Sequence, residues 1–398
     1  MHNLTKIKLF RVLLCFTYPL ALIFIYPFVF FKRRNPTGLF FFFDRYAIGG
    51  AQRVHLDILS SVSDIYKQVY FTRKSMNSFL RDEFYTTPNS LCADIHFWCD
   101  NLLFRLFTVH YYAFYINKHP KAHIFSSNST FFYDMLFFIN KKHIKTELLH
   151  NFTYGNNGME YFGLGNYKYL TNRMFIDTAT PQNVKKQYEE YNIPTIYTKN
   201  LHTIENGTVI PDNIIKNHTL PLKVLYAGRG GAQKRIYLIN KIAEKCIQAQ
   251  LPIEFHFAGT MMDELSDHIK QNCIIHGEIS EAANMQKLYI NSHAILMTSA
   301  YEGFPMIIKE GMAHGCIPVV TALDGNKTHL HHKINALLIA NPQDEDGVVQ
   351  QGCELLSMLI NNKDEWTGLA ASAYQYAKTH FDKKHFVAKY QQFFKAYL

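Results

Sequence analysis

Two glutamates in one short stretch are the side chains whose spacing points most directly to chemistry. The stretch SAYEGFPMIIKEGMAHG, residues 299–315, places seven residues between Glu302 and Glu310. Pro305 predicts that a helix begins between them, because proline needs no amide partner in a first turn. A helix rises about 1.5 Å per residue, so the carboxylates are expected roughly 8–10 Å apart. That separation is too large for sharing a proton and fits two ends of one elongated ligand.

The first turn of this predicted helix adds an anion site between the two acids. Its unpaired backbone amides attract anions, above all phosphate. An acid, an anion site and a second acid follow the order of groups in a nucleotide-sugar, with sugar hydroxyls at Glu302 and the ribose diol at Glu310. The stretch AGRGGAQKR, residues 227–235, supplies Arg229 and Lys234 on a glycine-rich loop. Guanidinium and ammonium groups suit the oxygens of a diphosphate.

Each of these side chains also has an ordinary structural explanation. Glu302 fits the cap of a helix, where a carboxylate interacts with the helix dipole, and Glu310 fits a surface position. Arg229 and Lys234 fit solvated loop charges. The chain contains 20 histidines, so a structural role explains His150, at the end of a predicted strand, as well as a catalytic role does.

The elements around these residues alternate between strands and helices in both halves of the chain. The predicted strands are 38–43, 67–73, 93–98, 123–127, 144–150 and 173–179, and then 223–228, 253–259, 273–277, 294–299 and 317–322. Such alternation indicates parallel sheets covered by helices, hence two doubly wound α/β domains. Ligands of these folds lie beyond the carboxyl ends of strands. Gly49-Gly50, His150, Arg229 and Glu302 all follow predicted strands, although the glycines also fit a simple tight turn.

Five stretches together resemble the motifs of retaining glycosyltransferases of family 4, which have the GT-B fold. They are IGGAQRVHLDIL (48–59), ENGTVIP (205–211), AGRGGAQKR (227–235), IHGEIS (275–280) and TSAYEGFPMIIKEGMAHGCIPVV (298–320). They occur in the order of the family. The resemblance implies two Rossmann-like domains facing a cleft, and transfer of a sugar from a nucleotide-diphosphate donor with retention at the anomeric carbon.

The resemblance assigns roles to residues in the second half of this chain. Glu310 is expected to bind the donor ribose, and Glu302 is expected to approach the transferred sugar as a catalytic residue. Gly303 and Phe304 belong to the same donor-binding motif. Arg229 and Lys234 match the arginine and lysine of the family that bind the donor phosphates.

The resemblance also assigns residues of the first half and makes a metal unnecessary. Gly49 and Gly50 are expected to face the donor phosphates across the cleft. The stretch TELLHNFTYG points to His150 as a second catalytic residue near the reacting sugar. Neither a cofactor nor a metal is expected, since cations and helix dipoles would stabilise the leaving diphosphate. The acidic run at 344–346 is interpreted as solvated charge in a loop.

One loop departs from the family pattern. The stretch LDGNKTHL, residues 323–330, has Asp324 and Thr328 where the family often has Gly-Gly-x-x-Glu. In the family this loop usually contacts the donor. The details of donor contact at this loop therefore differ from the pattern that the resemblance supplies.

The composition of the chain indicates which binding partners and which cellular compartment to expect. A net charge of +9 and a pI of about 9.0 favour anionic partners. No nucleic-acid-binding motif is present, so nucleic acid is not expected as a partner. Seven cysteines without a Cys-x-x-Cys pair indicate reduced thiols in the cytosol.

The N-terminus contains an apolar run, VLLCFTYPLALIFIYPFVFF, at residues 12–31. It is long enough to cross a bilayer as a helix, but Pro19 and Pro27 interrupt it and lysines and arginines flank both ends. Cationic flanks prefer the cytoplasm, so a single crossing and a bent segment with both ends inside both fit. A buried core helix is the remaining alternative. The expected location is the cytoplasmic face of the inner (plasma) membrane, anchored by residues 12–31.

These observations favour a membrane-associated glycosyltransferase with a lipid-linked saccharide or glycan acceptor in bacterial cell-envelope polysaccharide synthesis. A nucleotide-sugar 2-epimerase of the same fold and a non-catalytic membrane-tethered sugar-nucleotide binder remain alternatives. An oxidoreductase is disfavoured because Gly-x-Gly-x-x-Gly is missing. The predicted organisation is a membrane-associating segment at 1–35, an acceptor domain at 36–205, a donor domain at 206–365 and C-terminal helices at 366–398 that pack back on the N-terminal domain.

Overall fold

A computed structural model describes residues 3–47, 49–153 and 158–397 of the chain. These residues form two compact units. The first unit runs to Ile204 and includes the chain again from Val387. The second unit runs from Glu205 to Phe386.

The first unit contains a seven-stranded parallel sheet in the order β3-β2-β1-β4-β5-β6-β7. Its strands are β1 (Leu39–Phe43), β2 (Lys67–Phe71), β3 (Ser90–Asp94), β4 (His123–Ser127), β5 (Ile144–Leu149), β6 (Asn172–Phe175) and β7 (Leu201–Thr203). Its helices are α1 (Asn3–Phe24), α2 (Tyr26–Phe31), α3 (Gly50–Ser61), α4 (Arg81–Tyr85), α5 (His96–Asp100), α6 (Leu102–Asn117), α7 (Thr130–Met135), α8 (Glu160–Gly165) and α9 (Thr180–Glu190).

The second unit contains a six-stranded parallel sheet in the order β10-β9-β8-β11-β12-β13. Its strands are β8 (Leu222–Ala227), β9 (Ile253–Ala258), β10 (Ile274–Gly277), β11 (Ala294–Met297), β12 (Ile317–Thr321) and β13 (Leu337–Ile339). Its helices are α10 (Ile236–Gln248), α11 (Asp267–Asn272), α12 (Ala282–Asn291), α13 (Met306–Ala313), α14 (Asp324–Lys327), α15 (Glu345–Asn361) and α16 (Lys363–His380). Helix α17 (Lys383–Lys395) carries the chain into the residues assigned to the first unit.

Both sheets are doubly wound, as the sequence predicted. Parallel strands are buried on both faces and therefore consist of nearly continuous apolar residues; all five residues of β1 are buried. The strand order reverses between β1 and β4 in the first sheet and between β8 and β11 in the second. Such reversal points are where doubly wound sheets bind ligands.

One predicted strand, at 93–98, is wrong in position. The strand β3 ends at Asp94, and helix α5 begins at His96. The backbone N–H of His96 donates to Asp94 Oδ1 at 3.0 Å. An aspartate side chain that accepts a hydrogen bond from the backbone two residues later forms a turn and ends the strand. The aromatic residues that follow Asp94 favour a strand by composition, so the sequence did not indicate this turn.

The first unit ends at Ile204, one residue before the predicted boundary, whereas the predicted C-terminal boundary at residue 366 differs from the structure. The Asn206-Gly207 turn signal lies inside the second unit, where both residues are buried and Lys309 Nζ donates to the carbonyl oxygen of Asn206 at 2.7 Å. Helix α16 remains with the second unit, because Trp366 joins its apolar core. Only the residues from Val387 onward return to the first unit.

Helix α1 includes the segment Leu4–Phe24, which is long and apolar enough to cross a membrane by length and composition. It continues into α2 through a break at Ile25, and the apolar run of residues 12–31 therefore spans both helices. Pro19 lies inside α1 without ending it. The N-terminal helical segment that the sequence predicted is thus present.

Buried histidines are expected to make stability depend on pH. The backbone N–H of Ala122 donates to His143 Nδ1 at 3.0 Å, and that of Lys223 donates to His293 Nδ1 at 2.9 Å. Burial lowers the pKa of each imidazole from 6.5 to about 4. As the pH falls from about 6.5 toward 4, these histidines therefore bind protons in the unfolded chain but remain neutral in the folded chain. The free energy of unfolding should fall by about 1–2 kcal/mol per histidine between pH 7 and pH 5.

Urea unfolding at pH 7, 6 and 5 checks this expectation. His143→Asn keeps an acceptor for the Ala122 N–H and removes the proton uptake, so its stability should depend less steeply on pH than that of the unmodified chain. Equal pH slopes for the two proteins would contradict the assignment of His143.

Candidate active site

Two loops leave neighbouring strands at the point where the second sheet reverses its order. One follows β8, at residues 228–235, and the other follows β11, at residues 298–305. The backbone N–H of Ala300 donates to the carbonyl oxygen of Gln233 at 2.8 Å, and Gln233 Nε2 donates to that of Tyr301 at 3.1 Å. The two loops are therefore joined by hydrogen bonds and form one structure.

A glycine-rich turn shapes the first loop. A Cβ atom on Gly230 would lie 1.8 Å from the carbonyl oxygen of Met261, and Gly231 has a φ of +112°. Only glycine fits the first position without displacing backbone, and glycine adopts the second conformation without strain. The turn brings Arg229 and Lys234 to the carboxyl end of β8.

Lys234 and Glu302, two of the residues predicted to bind the donor, form an ion pair. Lys234 Nζ lies 2.5 Å from Glu302 Oε1, and their side chains are only 20% and 12% exposed. A partly buried pair of opposite charges holds both groups at the start of α13. The arrangement places an ammonium beside the loop that carries the first glutamate.

Arg229 remains available to an anion. Its side chain is exposed, and no described residue forms a hydrogen bond or ion pair with its guanidinium group. Its backbone is fixed, because Tyr226 Oη donates to the carbonyl oxygen of Arg229 at 3.0 Å. The loop thus presents one solvent-exposed cation and one cation that is paired with a carboxylate.

The sequence did not reveal the role of Arg235, which follows Lys234 directly. Arg235 is buried, and its guanidinium donates to the carbonyl oxygens of Thr298 at 2.7 Å, Pro342 at 2.7 Å and Ser299 at 3.3 Å. These bonds fasten the loop after β11 to the start of α10. Arg235 is therefore a residue that positions the candidate site. The adjacent Lys234 side chain instead pairs with Glu302.

Glu310 lies within α13, on the second turn as predicted. Pro305 precedes the first helical residue of α13 rather than forming it. Glu310 Oε2 accepts a hydrogen bond from Tyr289 Oη at 2.5 Å. Burial raises the pKa of Tyr289 well above its usual value, so its hydroxyl remains a donor at neutral pH. The ring of Tyr289 also stacks on His314, with centroids 5.6 Å apart.

Tyr289 was not singled out from the sequence, because it lies on α12 and has no local motif. Tyr289→Phe should raise the KM for a nucleotide-sugar about tenfold, since a hydrogen bond to a charged group is lost. The turnover number should change less, because Glu310 is expected at the ribose and not at the reacting carbon. Tyr237→Phe is the matched control: Tyr237 also donates to a glutamate, Glu345, on the surface of the second unit. Equal KM values for the two variants would contradict this role.

Gly303 and Phe304 have different environments within the motif. A Cβ atom on Gly325 would lie 1.7 Å from the carbonyl oxygen of Gly303, so the loop at 323–330 packs directly on the motif. The Phe304 ring is buried against His329 and Phe381, with centroids 4.7 and 5.4 Å away. The side chain of Phe304 therefore packs in the core of the second unit, and its role in donor binding stays a prediction.

The loop at residues 323–330, which departs from the family pattern, is short and is held by hydrogen bonds from its own side chains. Asp324 begins α14, and Thr328 Oγ1 donates to the carbonyl oxygen of Gly325 at 2.6 Å. Asn326 is buried and donates to the carbonyl oxygen of Thr321 at 2.8 Å. The loop thus uses its polar side chains to hold its own backbone against the motif.

The first unit holds the remaining predicted residues. Gly49 precedes α3 and Gly50 is its first residue. His150 follows β5, and its Nε2 lies 3.2 Å from Nε2 of His55 on α3. Ile48, Tyr154 and Gly155 of the quoted motif stretches lie outside the described residues.

His55 is a neighbour of His150 that the sequence did not predict. Its imidazole is fully buried and stacks on Phe43, with ring centroids 4.1 Å apart. Burial lowers the pKa of His150 to about 4 and that of His55 well below its usual value. Both rings are therefore neutral at pH 7, and one donates a hydrogen bond to the other.

The acidic run at 344–346 caps a helix. Asp344 Oδ1 accepts from the backbone N–H of Gly347 at 3.0 Å, and Glu345 and Asp346 lie in the first turn of α15. Carboxylates are stabilised there by the helix dipole. Within the described ranges, no group of three or more His, Cys, Asp or Glu side chains is arranged to hold a metal.

Comparisons with known proteins agree with this fold. Residues 221–358 match a family model described as Glycosyl transferases group 1. An uncharacterized glycosyltransferase of Methanocaldococcus jannaschii is 26% identical over 130 residues, which are 31% of this chain and 33% of that protein. The family match lies within the second unit, which contains all of the Arg229, Lys234, Glu302 and Glu310 positions.

Solved structures cover more of the chain. Anabaena HepE in complex with UDP and glucose has a TM-score of 0.67 at 14% identity, over 90% of this chain and 100% of that one. The lipopolysaccharide outer core galactosyltransferase WaaB has a TM-score of 0.61 at 17% identity, over 90% and 99%. TarM has a TM-score of 0.60 at 17% identity, over 72% and 58%. The chain thus spans a third of its curated relative's length and more than half of TarM's.

These likenesses confirm the predicted fold class. The chain has the α/β GT-B fold with two Rossmann-like units. The partial family match and the structural neighbours together support the class that the sequence predicted, a GT-B glycosyltransferase.

Proposed function

We propose that this chain is a retaining, metal-independent glycosyltransferase of family 4 that uses a nucleotide-diphosphate sugar as donor. The observation that carries the proposal is the arrangement at the reversal point of the second sheet. Arg229, Lys234 and Glu302 lie on two joined loops, and Glu310 lies on the helix that begins there. This set combines two cations for a diphosphate with two carboxylates for sugar and ribose hydroxyls.

The donor is expected to follow the axis of α13. The amides of its first turn and the exposed Arg229 would bind the diphosphate. The Glu310 carboxylate, oriented by Tyr289, would accept hydrogen bonds from the ribose diol. A donor phosphate would also attract the Lys234 ammonium, which is paired with Glu302 when no donor is bound.

The chemical step would be a substitution at the anomeric carbon. The bond from that carbon to the diphosphate oxygen breaks, and a bond to an acceptor hydroxyl oxygen forms on the same face. The proton of the acceptor hydroxyl passes to the leaving diphosphate. Lys234, Arg229 and the helix amides would stabilise the charge that develops on the leaving group. Glu302 would stay close to the sugar hydroxyls.

His150 is assigned to the same reaction by the family resemblance. A neutral imidazole can accept from or donate to a sugar hydroxyl, and burial keeps His150 neutral at pH 7. His55 would fix the orientation of that ring through the contact between their Nε2 atoms. Gly49 and Gly50 are assigned to the donor on the same ground.

The acceptor is proposed to be a lipid-linked saccharide in bacterial cell-envelope polysaccharide synthesis. The apolar segment of residues 12–31 supports an enzyme held at the cytoplasmic face of the inner membrane. One structural neighbour, WaaB, is described as a lipopolysaccharide outer core galactosyltransferase. Such an acceptor lies at the membrane surface, where an anchored enzyme meets it.

A transfer assay tests the proposed function. Purified protein in detergent is incubated with labelled nucleotide-sugars and a lipid extract of envelope glycan precursors, with and without EDTA. Transfer of label to the lipid fraction, with an anomeric configuration by NMR that matches the donor, is expected in both conditions. Glu302→Gln should reduce the rate of transfer by about 10²–10³.

Other outcomes of this assay would overturn parts of the proposal. Conversion of the free nucleotide-sugar into its 2-epimer would identify an epimerase. Donor binding without any turnover would indicate a non-catalytic binder. Loss of transfer with EDTA would contradict metal independence, and an inverted product would contradict retention.

A further inference from the structure

Helix α1 is fixed to the first unit from its first turns to its middle. Ile7 and Leu14 are buried against the unit. Arg11 Nη2 donates to Asn166 Oδ1 at 2.8 Å, near the end of α8. His110 Nε2, on α6, lies 3.1 Å from the carbonyl oxygen of Leu14. One side of α1 is therefore occupied by protein from its first turns to its middle.

Helix α2 is fixed in the same way. Val29 is fully buried, and Lys118 Nζ donates to the carbonyl oxygens of Val29 and Phe30 at 2.7 Å each. The lysine ammonium caps the C-terminal end of α2, where the carbonyl groups lack helical partners. The N-terminal segment is thus held by polar contacts at both of its helices.

The other side of these helices is apolar and exposed. Phe16 on α1 is 76% exposed, and Phe28 and Phe31 on α2 are 76% and 83% exposed. Soluble monomers rarely expose contiguous apolar surface of this kind. Removing such exposed aromatic side chains from water lowers the free energy, so covering them is favourable.

A second exposed apolar segment lies beside α1, at residues 97–107. Phe97 and Trp98 lie on α5, and the centroids of their rings lie 5.6 and 5.3 Å from that of Phe104 on α6. The guanidinium of Arg105 lies 5.7 Å from the ring of Phe10 on α1, so the segment adjoins that helix. We call the exposed faces of α1, α2 and residues 97–107 the apolar surface.

The charges on and beside α1 and α2 have one sign. Residues 1–43 and 101–133 contain no aspartate or glutamate, and Asp100 is the one acidic residue within residues 97–107. Lys6 and Lys8 on α1, and Lys32 just after α2, are exposed. Such a fringe matches an anionic lipid surface. It disfavours a second copy of this chain, because a twofold contact would bring like charges together.

We propose that the apolar surface docks on an anionic bilayer with α1 and α2 lying in the interface, and that residues 97–107 enter the same leaflet. The α1 helix does not cross the membrane. A crossing helix would have to leave its contacts with α6 and α8, or carry the polar surface of the first unit into hydrocarbon. Interfacial helices with an apolar face and a cationic fringe bind anionic membranes in this orientation. This inference rests on the proposed membrane location and adds its geometry.

Trp98 provides a direct probe of this docking. It is 51% exposed in the apolar surface, whereas Trp366 is 2% exposed in the core of the second unit. A Trp366→Phe protein therefore reports on Trp98 alone. Its emission should shift to the blue with vesicles that contain anionic phosphatidylglycerol, and lipids brominated near the headgroup should quench it. Binding should weaken as the salt concentration rises.

Substitutions in both parts of the apolar surface should weaken vesicle binding. Phe28→Ser on α2 and Leu103→Ser on α6 are each expected to weaken it about tenfold, since each removes a large apolar side chain from the lipid. Ile215→Ser is the matched control, because Ile215 is an exposed apolar residue of the second unit. Thermal stabilisation by a nucleotide-sugar should be unchanged in all three variants, so failure of docking and failure of donor binding are distinguishable.

Labelling decides between an interfacial and a crossing helix. Lys6→Cys and Lys32→Cys, each made in a Cys15→Ser chain, place thiols at the two ends of the α1–α2 segment. In intact cells, a membrane-impermeant maleimide should label neither position, and after permeabilisation it should label both. Labelling of one end in intact cells would show a crossing helix and overturn the proposal. Dimerisation of the purified chain without vesicle binding would overturn it in favour of an interface between copies.

Discussion

Lys234→Met is expected to lower kcat/KM for sugar transfer by about 10²–10³, because it removes one cation from the developing charge of the leaving diphosphate. The same change leaves the Glu302 carboxylate without its ion-pair partner in a site that is 12% exposed. The loss should appear mainly in kcat, since the charge on the leaving group grows in the transition state. Steady-state rates with saturating acceptor measure it.

Two further variants make this expectation specific. Lys241→Met removes an exposed lysine from α10 of the same unit, and it should leave kcat/KM within about twofold of the unmodified enzyme. Glu302→Gln should reduce kcat by a similar order as Lys234→Met, because both residues belong to one pair. Unchanged turnover in the Lys234→Met protein would remove that lysine from the chemical step.

Glu147→Ala should reduce the free energy of unfolding of the first unit by about 3–5 kcal/mol, because it leaves the charge of Arg173 buried without a counter-ion. Glu147 and Arg173 face each other on β5 and β6, and both side chains are 1% exposed. Arg173 Nε donates to Glu147 Oε1, and Tyr133 Oη donates to Glu147 Oε2 at 2.5 Å. Chemical unfolding of single variants measures the loss.

An exposed pair in the same unit is the control. Arg53 Nη1 lies 2.6 Å from Glu83 Oε2, with side chains 32% and 51% exposed, so Glu83→Ala should cost less than about 1 kcal/mol. The double change Glu147→Leu with Arg173→Leu should recover part of the loss, since no buried charge remains. Equal losses for Glu147→Ala and Glu83→Ala would contradict the assignment of a buried pair.

The ion pair between Glu147 and Arg173 is also expected to affect the position of His150, because His150 directly follows β5. Glu147 fixes the strand three residues before the imidazole, and the register of that strand sets where His150 lies. A Glu147→Ala protein that folds is therefore expected to lose transfer activity along with stability. The connection runs through position and not through contact with a substrate.

The sequence predicted the elements that carry the candidate site residues, because these elements depend on local signals. Continuous apolar runs locate β8 and β11, and glycine and proline mark the loops after them, so Arg229, Lys234, Glu302 and Glu310 were placed correctly on their elements. Their shared location follows from one rule about the carboxyl ends of parallel strands.

The residues that hold the site were not predictable in this way. Tyr289 reaches Glu310 from another helix, and Arg235 binds carbonyl oxygens as far along the chain as Pro342. Contacts of this kind leave no periodic or compositional signal in the sequence. The same reason explains Phe304, whose neighbours His329 and Phe381 become visible only in the folded unit.

The N-terminus shows the same limit. Its hydropathy predicted a membrane segment but left a crossing helix, a bent segment and a core helix open. The bonds from Arg11 to Asn166 and from Lys118 to α2 fasten that segment to the first unit. Hydropathy cannot report such contacts, because their partners lie about a hundred residues or more away in the chain.

The proposed nucleotide-sugar site of the second unit is tested most directly by a donor screen. Thermal unfolding of the purified chain is measured with UDP-, GDP-, ADP- and CMP-sugars, and compared with that of Glu310→Ala and Arg229→Ala. A donor at about 100 times its Kd stabilises a protein by about 2.7 kcal/mol, which corresponds to roughly 5–10 °C for a unit of this size. One class of donor is expected to stabilise the unmodified chain and neither variant. Equal stabilisation of all three proteins, or of none, would contradict a donor site at these residues.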